Sequence, residues 1–146
     1  MRISAKAEYA CVAMLELAGN FGDPQPVRIK AIADAQGIPQ RFLVQILLQL
    51  KTAGLVASVR GASGGYQLAK PPDGISLAAV INAIDDRSLS ARGDRGDLKL
   101  NRTPAVEALT TVWKEIQAEE QRLLENVTLA ELIRRTKLTN ALSYQI

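Results

Sequence analysis

At 146 residues the chain has room for about one domain, and 47% hydrophobic against 4% aromatic residues suits a small aliphatic core rather than disorder. With no histidine and one cysteine, Cys11, it excludes an intrachain disulfide, a zinc site or all-thiolate cluster built within one chain, and the commonest general base. The net charge of +3 belongs wholly to the first half: residues 1–74 hold eight Lys/Arg and five Asp/Glu, and residues 75–146 ten of each.

No apolar run approaches the roughly 20 residues a bilayer needs. The start, MRISAKAEYACVAML, carries Glu8 and is followed by Glu16, with no small-residue cleavage site after it. It does not read as a signal peptide, and the expected location is cytoplasmic.

Ser4 is placed to cap a first helix that runs to about Asn20, with Ala10, Ala13, Met14 and Leu17 on one face and Tyr9 and Val12 beside them. GNFGDPQP (19–26) is loop chemistry. RIKAIADAQ (28–36) predicts a short helix with Ile29, Ile32 and Ala33 inward, ended by Gly37 in the left-handed conformation. Pro39 opens a third helix, QRFLVQILLQLKTA over about 40–53, whose Leu43, Ile46, Leu47 and Leu50 form a buried stripe. Gln40, Arg41, Gln45, Gln49 and Lys51 stand on its other faces. Two helices joined by a short glycine-containing turn form the helix-turn-helix pattern. Glutamine can bond two atoms on an adenine edge and arginine two on a guanine edge, although a lone exposed glutamine is equally an ordinary solvent-facing residue.

Gly54 ends the third helix, and two short β-like runs follow, LVASV (55–59) and YQLA (66–69), around RGASGGY (60–66). Leu55, Ala57 and Val59 alternate with Val56 and Ser58, and Tyr66 and Leu68 continue the pattern. A phosphate-cradling loop, a wing that reaches into a groove and a plain tight turn all use such glycines. A phosphate loop needs a lysine and Ser/Thr after its last glycine and then a helix, whereas Tyr66 opens a strand. The wing therefore leads, with the plain hairpin still open. Over residues 25–70 six cations face one acid, Asp34, which is the footprint of a phosphate-facing surface or of an ordinary basic face.

After Pro71-Pro72, Ser76 caps a further helix to about Ile84, with Ile75 stapled on Val80. Residues 87–103 show neither helical nor strand periodicity and carry Arg92, Arg95, Lys99 and Arg102 besides Arg87. Thr103-Pro104 opens the longest helix, to about Asn126. Val106, Leu109, Trp113, Ile116, Leu123 and Val127 form its narrow apolar seam, with Glu120 in the missing slot. Such a seam wants a partner, either the same helix of a second subunit or the first helix of the same chain. TLAE (128–131) is a capping box for a last short helix, LAELIRRT, and nothing after Leu138 gives a clear signal.

The stretches MRISAKAEYA, IADAQGIPQRFLVQILLQLKTAGLVASVRGASGGYQLAKP and TLAEL resemble the IscR/NsrR/CymR-type winged-helix transcriptional regulators, the Rrf-two family, over roughly residues 1–136. The resemblance implies a mainly α fold with a small β-hairpin. Residues 1–74 would be a winged helix-turn-helix DNA-binding domain, and 75–146 a linker helix, a signal-loop region (87–103) and dimerisation helices. It implies a homodimer bound to double-stranded operator DNA; the expected regulator is a repressor, with an activator the open alternative, and no enzymatic activity is expected. Helix 39–52 would enter the major groove, wing 60–65 would lie at the minor groove, and the seam of helix 104–126 would cross its twin.

By the same resemblance, Arg2 and Lys6 lie near the DNA backbone; Arg28, one of the six cations of residues 25–70, is a further DNA-binding candidate. Gln40, Arg41, Phe42, Gln45, Gln49 and Lys51 belong to the recognition helix. Arg60, Gly61, Ser63, Gly64, Gly65 and Tyr66 belong to the wing. Two departures matter. Val44 stands where many members carry Glu, so the operator preference of relatives does not transfer. Cluster-binding members have three cysteines in the segment equivalent to 87–103, and this chain has none there. Glu8 holds a position that supplies a carboxylate ligand in some relatives, but one carboxylate cannot hold a cluster, so no cofactor and no metal are expected. Cys11 is read either as a redox-active thiol or as a small hydrophobe packed in its helix. A CymR-like regulator working through a protein partner, docked on helix 75–84 and the loop after it, is the second reading of function. A small enzyme or ligand-binding module reusing the fold is the third.

Overall fold

The computed structural model describes residues 2–85 and 99–144. Six α-helices and one hairpin make up these residues. They are α1 (Ala5–Gly19), α2 (Ile29–Gln36), α3 (Gln40–Thr52), β1 (Val56–Val59), β2 (Gly65–Leu68), α4 (Leu77–Ile84), α5 (Pro104–Asn126) and α6 (Leu129–Tyr144), with a 3-10 turn at Pro72–Gly74.

Helix α1 is the hub. Its Ser4 cap accepts from Ala7 N at 3.0 Å, and Ala7, Ala10, Ala13, Met14, Leu17 and Ala18 are buried. The run of alanines lets α3, α4, α6 and the hairpin all approach its backbone closely, because interaxial distance is set by the side chains at the contact. Around Met14 and Leu17 gather Ile32 of α2, the α3 stripe Leu43, Ile46, Leu47 and Leu50, and Leu55, Val56, Leu68, Ile75, Val80 and Leu129. A smaller cluster joins Ala78 and Ile81 of α4 to Leu124 of α5.

The caps read from sequence are formed. Ser76 accepts from Ala79 N, Thr103 from Val106 N and Thr128 from Glu131 N, at 3.1–3.2 Å. Leu77 N bonds Val127 O and Leu129 N bonds Ile75 O, so the starts of α4 and α6 are stitched side by side.

Two expectations are corrected, for the strands and for the end of α6, and one of the two partners left open for the α5 seam is set aside. The strands do not bury alternate residues: Leu55 and Val56 are both buried, while Ala57, Ser58 and Val59 are exposed. Strand β1 leaves the core after its first residue, whereas Tyr66 on β2 still packs against the core and bridges to Val27, so only one strand of the outer half is covered. Helix α6 runs to Tyr144 rather than ending near residue 136. No Gly or Pro follows Pro104, and Glu131 pairs with Arg134 and, at 3.2 Å, with Arg135, which supports the helix without an apolar stripe. Helix α5 does not lie along α1: its C-terminal end rests on α4 through Leu124, its one buried residue. Among the described residues no helix is long and apolar enough to cross a membrane.

Candidate nucleic-acid interface

Gly37 takes φ 69° at the end of α2, and Ile38 is buried in the turn, which sets α3 across α2. With Leu43, Ile46, Leu47 and Leu50 held in the core, the opposite side of α3 faces solvent. Gln40, Arg41, Val44, Gln45 and Leu48 are exposed there. The Arg41 guanidinium lies 4.8 Å from the centroid of the Phe42 ring, which stacks in turn on Tyr9 of α1 at 6.4 Å and 21°. Phe42 is thus a platform under Arg41. Lys51 donates to Ser58 Oγ at 2.7 Å, tying the end of α3 to β1. Gln49 is half-buried, and its side-chain oxygen is enclosed with no hydrogen-bond partner, so that oxygen does not face outward.

The hairpin pairs antiparallel from Val56↔Leu68 to Val59↔Gly65, and Val27, just before α2, bridges Tyr66 through bonds of 2.9 and 2.8 Å. Its three glycines do different things. Gly61 needs its freedom of rotation, at φ 115°. Gly64 and Gly65 are required by proximity: a Cβ on Gly64 would sit 2.3 Å from Val59 O, and one on Gly65 2.3 Å from Val27 O. Arg28 donates to Ala62 O at 2.5 Å, which holds the wing tip to the start of α2. Arg60 and Ser63 are exposed at the tip, and Tyr66 is half-buried beneath it. Arg2 is exposed and Lys6 half-buried. Among the described residues the ion pairs lie on α5 and α6, and none involves a cation of residues 25–70.

Sequence reasoning passed over Leu48. Its signal was an aliphatic residue on the side of α3 away from the stripe. It also placed Arg28 and Lys51 in the basic surface without their fastening contacts, which join residues 34 and 7 apart along the chain.

At the start of α1, Ser4 is tied to Asp85 through its backbone N at 3.3 Å and its hydroxyl at 2.8 Å. Cys11 lies nearby, half-buried between the two apolar clusters. Its thiol is pushed up from the ordinary 9.0 to about 11, chiefly by burial and further by the negative charges of Glu8 and Asp85. An iron–sulfur cluster needs several thiolates or imidazoles. The chain has one such thiol and no histidine, and among the described residues no three His, Cys, Asp or Glu side chains converge. These residues do not fit a resident cluster. Of the signal-loop region 87–103, residues 87–98 lie outside the described residues.

Along α5 the seam stands open to solvent in the single chain. Leu109, Trp113, Ile116 and Leu123 are 43–62% exposed, and Val106 and Val127 are half-buried.

The comparisons agree with this geometry. The family model for Rrf2, described as iron-dependent transcriptional regulators, matches residues 3–135. An HTH-type transcriptional regulator of Mycobacterium tuberculosis is 46% identical over 132 residues, covering 90% of this chain and 81% of its own. The HTH-type regulator IscR of Yersinia pestis is 40% identical over 136 residues, covering 91% and 79%. Among solved structures, IscR of T. potens superposes with a TM-score of 0.74 at 33% identity, covering 93% of this chain and 88% of that one. CymR, the global cysteine regulator of B. subtilis, gives 0.74 at 31% identity, covering 92% and 98%. The helix-turn-helix, the wing, the long C-terminal helix and a family match over almost its whole length place this chain in the Rrf2 family, as a member without the cluster-ligating cysteines.

Proposed function

We propose that the protein is a homodimeric, sequence-specific DNA-binding transcriptional regulator that acts in the cytoplasm as a repressor and carries no iron–sulfur cluster. The observation that supports it most is the outward face of α3, where Gln40, Arg41 and Gln45 stand exposed beside a wing that carries Arg60. Amide and guanidinium groups are the side chains that read purine edges, and Arg60 suits a phosphate or a narrow minor groove. In this reading Arg2 and Lys6 attract the backbone. Arg28, Lys51, Gly65 and Tyr66 hold the wing against the body, Gly64 lets the tip close on itself, Phe42 supports Arg41, and Gln49 makes no base contact through its enclosed oxygen.

The open α5 seam supports the dimer. A row of large apolar side chains at 3–4 spacing is what one helix offers another, and a second copy supplies a matching row by symmetry. Two copies would then present two α3 helices to successive major-groove turns. The protein-partner reading is the weaker one, because Ala78, Val80 and Ile81 of α4 are already buried within the chain. Thiol sensing at Cys11 is also weaker, since burial keeps its reactive thiolate scarce.

The test is binding to duplexes selected from genomic DNA, measured across salt concentrations. Arg60→Ala should weaken binding and lower the salt slope by about 1. Gln45→Ala should cost about 1–3 kcal/mol and relax the preference at one position. Unchanged affinity in both variants would sink the reading. A visible charge-transfer band with stoichiometric iron in anaerobically purified protein would refute the cluster-free part.

A further inference from the structure

The outward face of α3 carries an apolar pair that direct hydrogen-bond readout leaves unused. Val44 is 47% exposed and Leu48 61% exposed. They lie four residues apart, one turn along the same side of the helix. At about 100° per residue the order across that face is Gln40, Val44, Leu48, Arg41, Gln45, so the aliphatic groups occupy its middle.

A single exposed aliphatic residue is ordinary. Two at the centre of the helix face that a winged helix presents outward, ringed by amides and guanidinium, call for a specific occupant. The surroundings select a polyanion: six cations against one acid over residues 25–70. Within a major groove, the apolar group offered by a base edge is the thymine C5-methyl. Against any other edge, Val44 and Leu48 would strip water from donors and acceptors and replace none of their hydrogen bonds.

The geometry points to Val44 and Leu48 as specificity-determining residues that read thymine methyl groups, between the hydrogen-bonding flanks of Gln40 and Gln45. This rests on the DNA-binding reading of α3 and adds to it a sequence preference that the polar residues alone would not impose. Thymine at the contacted step is favoured by packing, and guanine or cytosine there is disfavoured by desolvation.

The experiment uses the full-length protein and duplexes enriched on it from a random-sequence pool. Each thymine of the enriched site is replaced in turn by deoxyuridine, which removes only the methyl. Affinity should fall about fourfold at one or two thymines, the factor that one packed methyl-sized group contributes. In Val44→Ala or Leu48→Ala protein the thymine and uracil duplexes should bind equally at the position each residue reads. Both side chains are exposed and alanine is the best helix former, so these variants fold; their urea midpoints check it. The proposal is overturned if the parent duplex binds tightly and no thymine responds to loss of its methyl. It is equally overturned if both variants keep the full uracil penalty. A pool that yields no enriched duplex would overturn the DNA-binding reading, and this one with it.

Discussion

Gly65→Ala should loosen the wing without removing any side chain. The added Cβ would lie 2.3 Å from Val27 O, 2.6 Å from Val27 C and 3.0 Å from Arg28 N, all of them backbone atoms that cannot swing aside. Ordinary van der Waals contact begins near 3.4 Å, so the two segments must part by about 1 Å. Val27 and Tyr66 are joined by hydrogen bonds of 2.9 and 2.8 Å, and stretching both by that amount takes them beyond bonding range. Each bond contributes about 0.5–1.5 kcal/mol, so the loss is about 1–3 kcal/mol. Alanine also restricts the unfolded chain, which offsets about 0.4–1 kcal/mol of it. The net expectation is a destabilisation of about 1–2 kcal/mol, read as a lower midpoint in urea unfolding. Gly74→Ala is the control, because nothing lies within 4 Å of its Cβ position and its φ is not positive. Affinity for a selected duplex should fall in Gly65→Ala although α3 is untouched, since the tip that Arg28 holds at Ala62 moves with the strand. Equal midpoints for the Gly65→Ala, Gly74→Ala and wild-type proteins would refute the close-approach argument.

The remaining predictions concern the dimer and the thiol. Ile116→Asp should raise the dimer dissociation constant at least about a hundredfold in sedimentation equilibrium, because each copy would bury an unpaired carboxylate at the seam. Ile116 is 44% exposed in the single chain, so the fold itself should be little affected; a monomeric wild type would refute the seam's role. At pH 8 a thiol of ordinary pKa 9.0 is about one-tenth ionised, and Cys11 near 11 about one-thousandth, so alkylation should be about a hundredfold slower in the folded protein than in urea. The raised value means that the folded state keeps a proton the unfolded state has lost. Stability should therefore be independent of Cys11 below about pH 9 and fall as pH rises from 9 towards 11. Cys11→Ala should flatten that limb, and equal alkylation rates folded and unfolded would contradict it.

What the sequence determined by itself was local. Ser4, Ser76, Thr103 and Thr128 announce helix starts because a cap is a contact between residues three apart. Gly37 ends α2 for a reason carried in its own φ, and the α3 stripe is legible because burial repeats with the helical period. The order helix, turn, helix, hairpin followed from these, and with it the side of α3 that faces outward.

The tertiary structure decided everything that depends on residues far apart in the chain. Gly65 is required by Val27, and Arg28 reaches Ala62 across 34 residues. Ser4 meets Asp85 across 81, and Leu124 finds Ala78 and Ile81. No periodicity encodes these meetings, because they arise only once the helices have packed. The same cause explains the hairpin, whose alternation failed because β1 leaves the core after Val56 while Tyr66 on β2 stays against it. Leu48 falls on the other side of this divide: its place away from the α3 stripe is legible in the helical period, and the tertiary structure adds that no other element covers it, at 61% exposed.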